Sequence, residues 1–373
     1  LCVVPLILLT CSLLTAPAVA AGNNYELIVR AGDHDRVNVP VMAILTEAQQ
    51  QANLRPAILE KARSVTLTDA AGAALPAQLT MPGLPAESAA KAGLVVRELH
   101  FVLPSLKQGQ TTKLLATVSA EEPSDEGFTW QNKPGEYAEL SFGDRPVLRY
   151  MCRALDDSSK AAREQTYKVF HHLYDPAGSR FVTKGAGGKF THHRGIFYGF
   201  NRISYGGSKR VDIWHCSGDT HQLHEGFLAD EAGPVLGRHR LALDWHGVGK
   251  EVFAKERREL TVYNVPGGQL VECASELRST VGKISLAGDP QHAGFQFRAA
   301  QDVADGDQQL TYDLRPDGKG KPGETRNWPG NKDFVNLPFN AMSFVIDEKR
   351  YTAVYLDKPT NPKEARFSER TYG

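Results

Sequence analysis

Nine of the twelve histidines fall between His171 and His246. Imidazole is both a proton carrier near neutral pH and a common metal ligand, so this stretch is where chemistry is first sought. Seven of the nine stand as His171-His172, His192-His193, Trp214-His215, His221 and His224-Glu225, with His239 and His246 following. Adjacent strand residues face opposite sides, so one member of each pair is expected in a shared pocket and the other outside it. The candidate catalytic residues are His192, His193, His171, His215 and Glu225. The histidines would move protons, and a carboxylate would set an imidazole's tautomer and raise its basicity. His171, His192, His193 and His224 are also candidate ligands of a divalent metal, since a catalytic zinc takes three protein ligands and keeps a fourth position open. Which cofactor the chain uses, if any, is unknown from these residues.

Ligand pockets combine apolar walls with a few convergent polar groups. Trp130, Trp214, Trp245, Trp328, Tyr198 and Tyr205 offer faces for sugar rings, while Asn201, Asp212 and Arg298 offer hydroxyl partners. Arg194 and Arg298 could hold a carboxylate bidentately. Arg194, Asn201, Trp214 and Arg298 are therefore the candidate substrate-binding residues.

Period-two alternation marks the elements that position these groups. It runs through Tyr25, Leu27 and Val29, through Val37, Val39 and Val41, and again through 64–68, 77–80 and 93–102. The stretch 43–61, broken by Pro56, is the one early segment with a helical reading. Residues 22–119 thus read as a small Ig-like β-sandwich, 120–134 as a linker, and 135–373 as a large antiparallel β-sandwich. The class is all-β, because no strand–helix alternation supports a doubly wound sheet. No G-x-G-x-x-G, Walker A, H-E-x-x-H or G-x-S-x-G pattern is present, so nucleotide-dependent and serine-hydrolase chemistry lack support. Two carboxylates acting on a glycosidic bond have no fixed spacing and stay open.

With 43 Lys and Arg against 43 Asp and Glu, no basic excess exists to neutralise nucleic-acid phosphates. An apolar run over 6–20 closes on Ala18-Val19-Ala20, the pattern of a cleaved export signal and short for a membrane span. Residues 1–20 are therefore expected to be a truncated signal peptide and the mature protein periplasmic or extracellular, with no integral membrane segment. Cys152, Cys216 and Cys273 would remain, an odd number that argues for buried thiols over a disulfide framework.

Three motifs in order carry a family resemblance: Phe170-His171-His172-Leu173-Tyr174-Asp175-Pro176-Ala177-Gly178, then His192-His193-Arg194-Gly195-Ile196-Phe197-Tyr198-Gly199, then Asp212-Ile213-Trp214-His215. With Asn361-Pro362 and Arg370-Thr371-Tyr372-Gly373, they resemble the exported bacterial family labelled methane oxygenase PmoA family, also carried as a domain of unknown function. The resemblance covers roughly 135–373. Members continue past the closing Tyr-Gly, so this chain is expected to be cut there. His172 stands where the family tends to have Pro, which weakens His171 as a fixed site residue. The label implies copper chemistry, yet the membrane-bound methane monooxygenase subunit has several spanning helices and this chain has none after its signal. The resemblance implies instead a β-rich exported protein of polysaccharide-degrading bacteria. The large sandwich is also similar to the mutarotase-like supersandwich of sugar epimerases and polysaccharide lyases, an analogy of fold alone.

The leading expectation is a carbohydrate-active protein that binds or transforms a sugar or oligosaccharide in a His-rich pocket by general acid/base chemistry. The alternatives are a non-catalytic carbohydrate-binding or scaffold module and, more remotely, a copper oxygenase. Convergence of at least three of the candidate side chains in one pocket would favour catalysis.

Overall fold

The computed structural model describes residues 23–48, 58–89, 94–123, 126–289, 291–327, 330, 334–361 and 363–371. The expected signal peptide lies outside these residues, as does Trp328. The chain is all-β, built from several antiparallel sheets.

Seven strands form the first sandwich: β1 (Asn24–Arg30), β2 (Arg36–Ala48), β3 (Ser64–Asp69), β4 (Ala74–Leu75), β5 (Ala77–Thr80), β6 (Leu94–Leu106) and β7 (Thr111–Ser119). The sheet β1-β7-β3-β4 packs on the sheet β2-β6-β5 around Tyr25, Leu67, Leu114, Leu99 and Phe101. The helix expected over 43–61 is replaced by strand up to Ala48, because β2 pairs with β6 along its whole length. Among the described residues of that stretch, α1 (Ile58–Lys61) is helical. Along β6, Leu99, Phe101 and Leu103 join the core, so alternation puts Glu98 and His100 on the opposite face.

The large domain begins inside the expected linker. The strands β8 (Phe128–Lys133), β9 (Tyr137–Phe142), β10 (Arg145–Met151), β11 (Phe170–Leu173) and β12 (Ile196–Phe200) lie side by side in one sheet. Phe128 is buried in the core of this domain, and that burial turns a segment of polar appearance into an edge strand. Next come β13 (Arg202–Tyr205) and β14 (Lys209–Val211), which form a small hairpin. The long strands β15 (His221–Ala232), β16 (Leu236–His246), β17 (Val252–Tyr263) and β18 (Leu270–Ser279) form the second layer. Then β19 (Ile284–Ala287) joins the small hairpin, and β20 (Ala293–Phe297) joins the first sheet beside β12. Leu140, Val147 and Leu148 of one layer meet Leu260 and Val262 of the other. Among the described residues no helix is long and apolar enough to cross a membrane.

The outer face of β16 and β17 meets the outer face of β5 and β6. Arg238 Nη1 lies 3.0 Å from Glu98 Oε2 and its Nε 3.9 Å from Glu259 Oε1, all three side chains being buried. Arg240 links Glu259 to Glu87, and Arg257 reaches Glu87 from the next strand. Gln78 Oε1 accepts from the N–H groups of Val235 and Leu236. Burial favours the neutral form of Glu98, but the His100 hydrogen bond and the Arg238 charge prevail and hold its carboxyl at about 2. The N-terminal sandwich is thus fastened to the back of the second layer by charge.

Candidate functional site

Two turns with the same spelling, Asp-x-x-His, face one another. In the turn after β14, Asp212 Oδ1 accepts from the His215 backbone N–H at 2.7 Å, and Asp212 Oδ2 meets His215 Nδ1 at 2.6 Å. In the turn before β20, Asp289 Oδ1 meets His292 Nδ1 at 2.5 Å. Asn201 grips the same aspartate twice: its Nδ2 donates to Asp289 Oδ2, and its Oδ1 accepts the Asp289 N–H. A carboxylate at Nδ1 assigns the proton to that nitrogen and leaves the Nε2 lone pair for a proton or a ligand. The His215 and His292 rings lie 5.3 Å apart, centre to centre. Their side chains are 35% and 26% exposed, so a small molecule can reach them.

His192 and His193 complete the cluster. The His192 ring is 4.5 Å from that of His215 and 4.4 Å from that of His193. Both reach it because the segment before β12 is a turn, where strand alternation does not apply, so the expectation that only one would do so is corrected. Gly195, at φ +30°, closes this turn where a Cβ would stand 2.0 Å from the His171 carbonyl oxygen. The buried Lys168 ammonium donates to the carbonyls of His192 and Trp214, tying together the two turns that carry His192 and His215. Trp214, fully buried, forms the floor: its ring meets His292 edge-on at 5.2 Å, with the Arg298 guanidinium 5.6 Å from its centre.

Burial, then neighbouring His215 and the charges of Lys168 and Arg298, holds the His192 imidazole down at about 3, and burial with Arg298 depresses His193 further. Burial also lowers His292 despite Asp289. Lys168, without a carboxylate on its ammonium, is lowered to about 7. An open cleft of about 420 Å³ borders the cluster, lined by Asn201, Arg202, Ser204, Arg210, Asp212 and Thr220 among others.

The other candidates lie elsewhere. His171 points between the two layers, where its Nε2 meets His239 Nε2 at 2.8 Å and its ring stacks on Tyr150. His224 Nδ1 meets the Tyr150 hydroxyl at 3.1 Å. His172 faces the other way and stacks on Phe181. The four candidate metal ligands are therefore split, with His192 and His193 in the cluster and His171 and His224 in the interlayer core. Among the described residues no group of three or more His, Cys, Asp or Glu side chains is placed to hold a metal ion. Glu225 sits exposed at a bulge in β15, away from the imidazoles. Arg194 is fully buried and spends its donors on the carbonyls of Glu164, Gln165, Lys168 and Thr191, so it builds the turn instead of gripping a ligand. Trp214 and Trp245 are core residues, not open platforms, and Asn201 acts through Asp289. Cys152 and Cys216 are buried free thiols, whereas Cys273 is exposed.

Sequence reasoning passed over His292, Asp289 and Lys168. A signal for the first two was present, since Asp289-Pro290-Gln291-His292 repeats the spacing of Asp212-Ile213-Trp214-His215.

The buried neutral histidines make stability pH-dependent. Burial holds His172 and His221 near 4, and His192 and His239 near 3, against about 6.5 in an unfolded chain. The unfolded state therefore binds more protons below about pH 6.5, and stability falls as pH drops through that value. The melting temperature is expected to fall between pH 6.5 and 5, where the four histidines outweigh Glu369, whose carboxyl is pushed up to about 8 by burial and works in the opposite direction. A flat profile across that window would contradict the buried, neutral assignment.

No curated protein and no solved structure matches the chain. The model of one family, described as a family of unknown function (DUF6807), matches residues 137–373, from β9 through the cluster to the C-terminal end. That stretch holds all four imidazoles and both aspartates of the site, and the chain belongs to this family.

Proposed function

We propose that the cluster is the active site of an exported protein that binds a sugar or oligosaccharide and moves a proton on it by general acid/base chemistry. The observation that carries this reading is the pair of carboxylate-oriented imidazoles, His215 and His292, facing each other at an accessible surface. One Nε2 can take a proton while the other, protonated, delivers one. His192 and His193 stay neutral beside them, and the adjoining cleft falls within the size range of small-molecule sites. The analogy of the large sandwich to the mutarotase-like supersandwich agrees with a sugar ligand. The second reading is a binding module without turnover. It draws on the histidines outside the cluster, since His171, His172 and His239 are core residues.

The test is proton NMR in D2O of the purified, untagged mature protein with a panel of mono- and oligosaccharides. Deuterium incorporation or new resonances that vanish in His215→Ala/His292→Ala support the enzyme. Line broadening without chemical change supports the binding module. Stoichiometric copper in the same preparation would support the oxygenase label of the family that the sequence resembles.

A further inference from the structure

Three cations are buried in the segment that carries His192 and His193. Lys168 is 2% exposed, Lys184 4% and Arg194 0%. Burying a cation is costly unless a counter-charge accompanies it, and the side chains bonded to these three do not supply one. Lys168 donates to the carbonyls of His192 and Trp214. Lys184 donates to those of Gly185 and Gly187 in the glycine-rich loop. Arg194 donates to four carbonyls and lies over the Tyr167 ring. Neutral carbonyl dipoles solvate these charges without cancelling them. Burial pulls Lys168 down to about 7 and Lys184 to about 8, so part of the charge is given up near neutral pH for want of a counter-ion.

The carboxylates nearby are committed or stand off. Asp212, in electrostatic range of Lys168, is bonded to His215. Asp289 is bonded to His292 and Asn201 and lies 3.9 Å from Arg202, whose charge it offsets. Glu164 and Asp305 act on Arg194 and Lys184 through space only. Arg298 adds a fourth positive group behind Trp214, and Arg202 and Arg210 line the adjoining cleft. The positive field is felt at the site, where Lys168 and Arg298 help to keep His192 and His193 unprotonated.

We infer that the ligand of this cluster is anionic, a sugar acid whose carboxylate supplies the counter-charge that the protein withholds. This rests on the acid/base sugar reading above and narrows it. The anion need not touch Lys168, because charges inside a protein act at longer range than in water. A carboxylate is chosen over a sulfate or phosphate ester because the reading above is proton transfer, which involves no leaving ester.

The experiment is calorimetric titration of the mature protein with D-glucuronate, D-glucose, glucose 6-phosphate and inorganic sulfate at low salt. Glucuronate is expected to bind at least tenfold more tightly than glucose. Lys184→Gln should shrink that ratio, and Lys184→Arg should restore it. Equal binding of glucose and glucuronate overturns the anionic inference and leaves the sugar reading standing. Sulfate binding as tightly as glucuronate, with glucose unbound, overturns the sugar reading and shows a plain anion site. A preference for glucose 6-phosphate overturns the carboxylate assignment, and binding of none of the four overturns the inference outright.

Discussion

Replacing Asp212 or Asp289 with Asn is expected to lower turnover of a proton-transfer substrate by about 10²–10⁴-fold, the range of a lost general acid or base. The volume is unchanged, so the fold should hold. An amide can present its N–H to Nδ1, which moves the ring proton to Nε2 and removes the lone pair that faces the ligand. The imidazolium formed during transfer also loses its carboxylate. The effect should fall on kcat more than on KM, because the carboxylate stabilises a charge that develops during the reaction. The second dyad should show a comparable loss with the opposite pH limb altered, since one imidazole must start neutral and the other protonated. Steady-state kinetics over pH 5–9 would check both points. Loss confined to KM in both variants would reduce the aspartates to ligand positioning.

The second large effect is expected at the seam between the sandwiches. Arg238→Met leaves buried Glu98 and half-buried Glu231 without the guanidinium that joins them. Breaking a buried ion pair from one side costs about 3–5 kcal/mol, a large share of the ~5–15 kcal/mol that holds a typical protein folded. Urea unfolding should shift accordingly, and the N-terminal sandwich should lose its coupling to β16 and β17 and unfold in a separate step. The double variant Glu98→Leu/Arg238→Met should recover much of the loss, because it removes the stranded charge along with its partner. A loss below about 1 kcal/mol in the single variant would mean that water reaches the seam and screens it.

Both effects arise from residues whose importance is unequally visible along the chain. Alternation reports burial directly, so the strands at 24–30, 64–69 and 137–142 could be read from period two alone. The helical reading failed over 43–48 because a strand backed along its length by β6 does not need ideal local spacing. The edge strand at 128–133 was hidden because most of its residues are polar and only Phe128 is fully buried, with Trp130 packed partly against the core. Alternation also separated His171 from His172 correctly. It misled at His192 and His193, because a glycine-closed turn has no period.

The sequence by itself determined an all-β chain of two sandwiches, a concentration of histidine in the second, and the Asp-x-x-His spacing that occurs twice. Spacing of that kind suffices for each dyad, since an aspartate three residues before a histidine can reach its Nδ1 within one turn. Only the tertiary structure decided which histidines work together. His292 lies 77 positions beyond His215 (292 minus 215), and the pairing of β20 with β12 brings its turn beside the others. The same folding sends His171 and His224 into the interlayer core and Arg194 beneath the turn. Contact between distant segments depends on sheet register and layer packing, which no local pattern encodes.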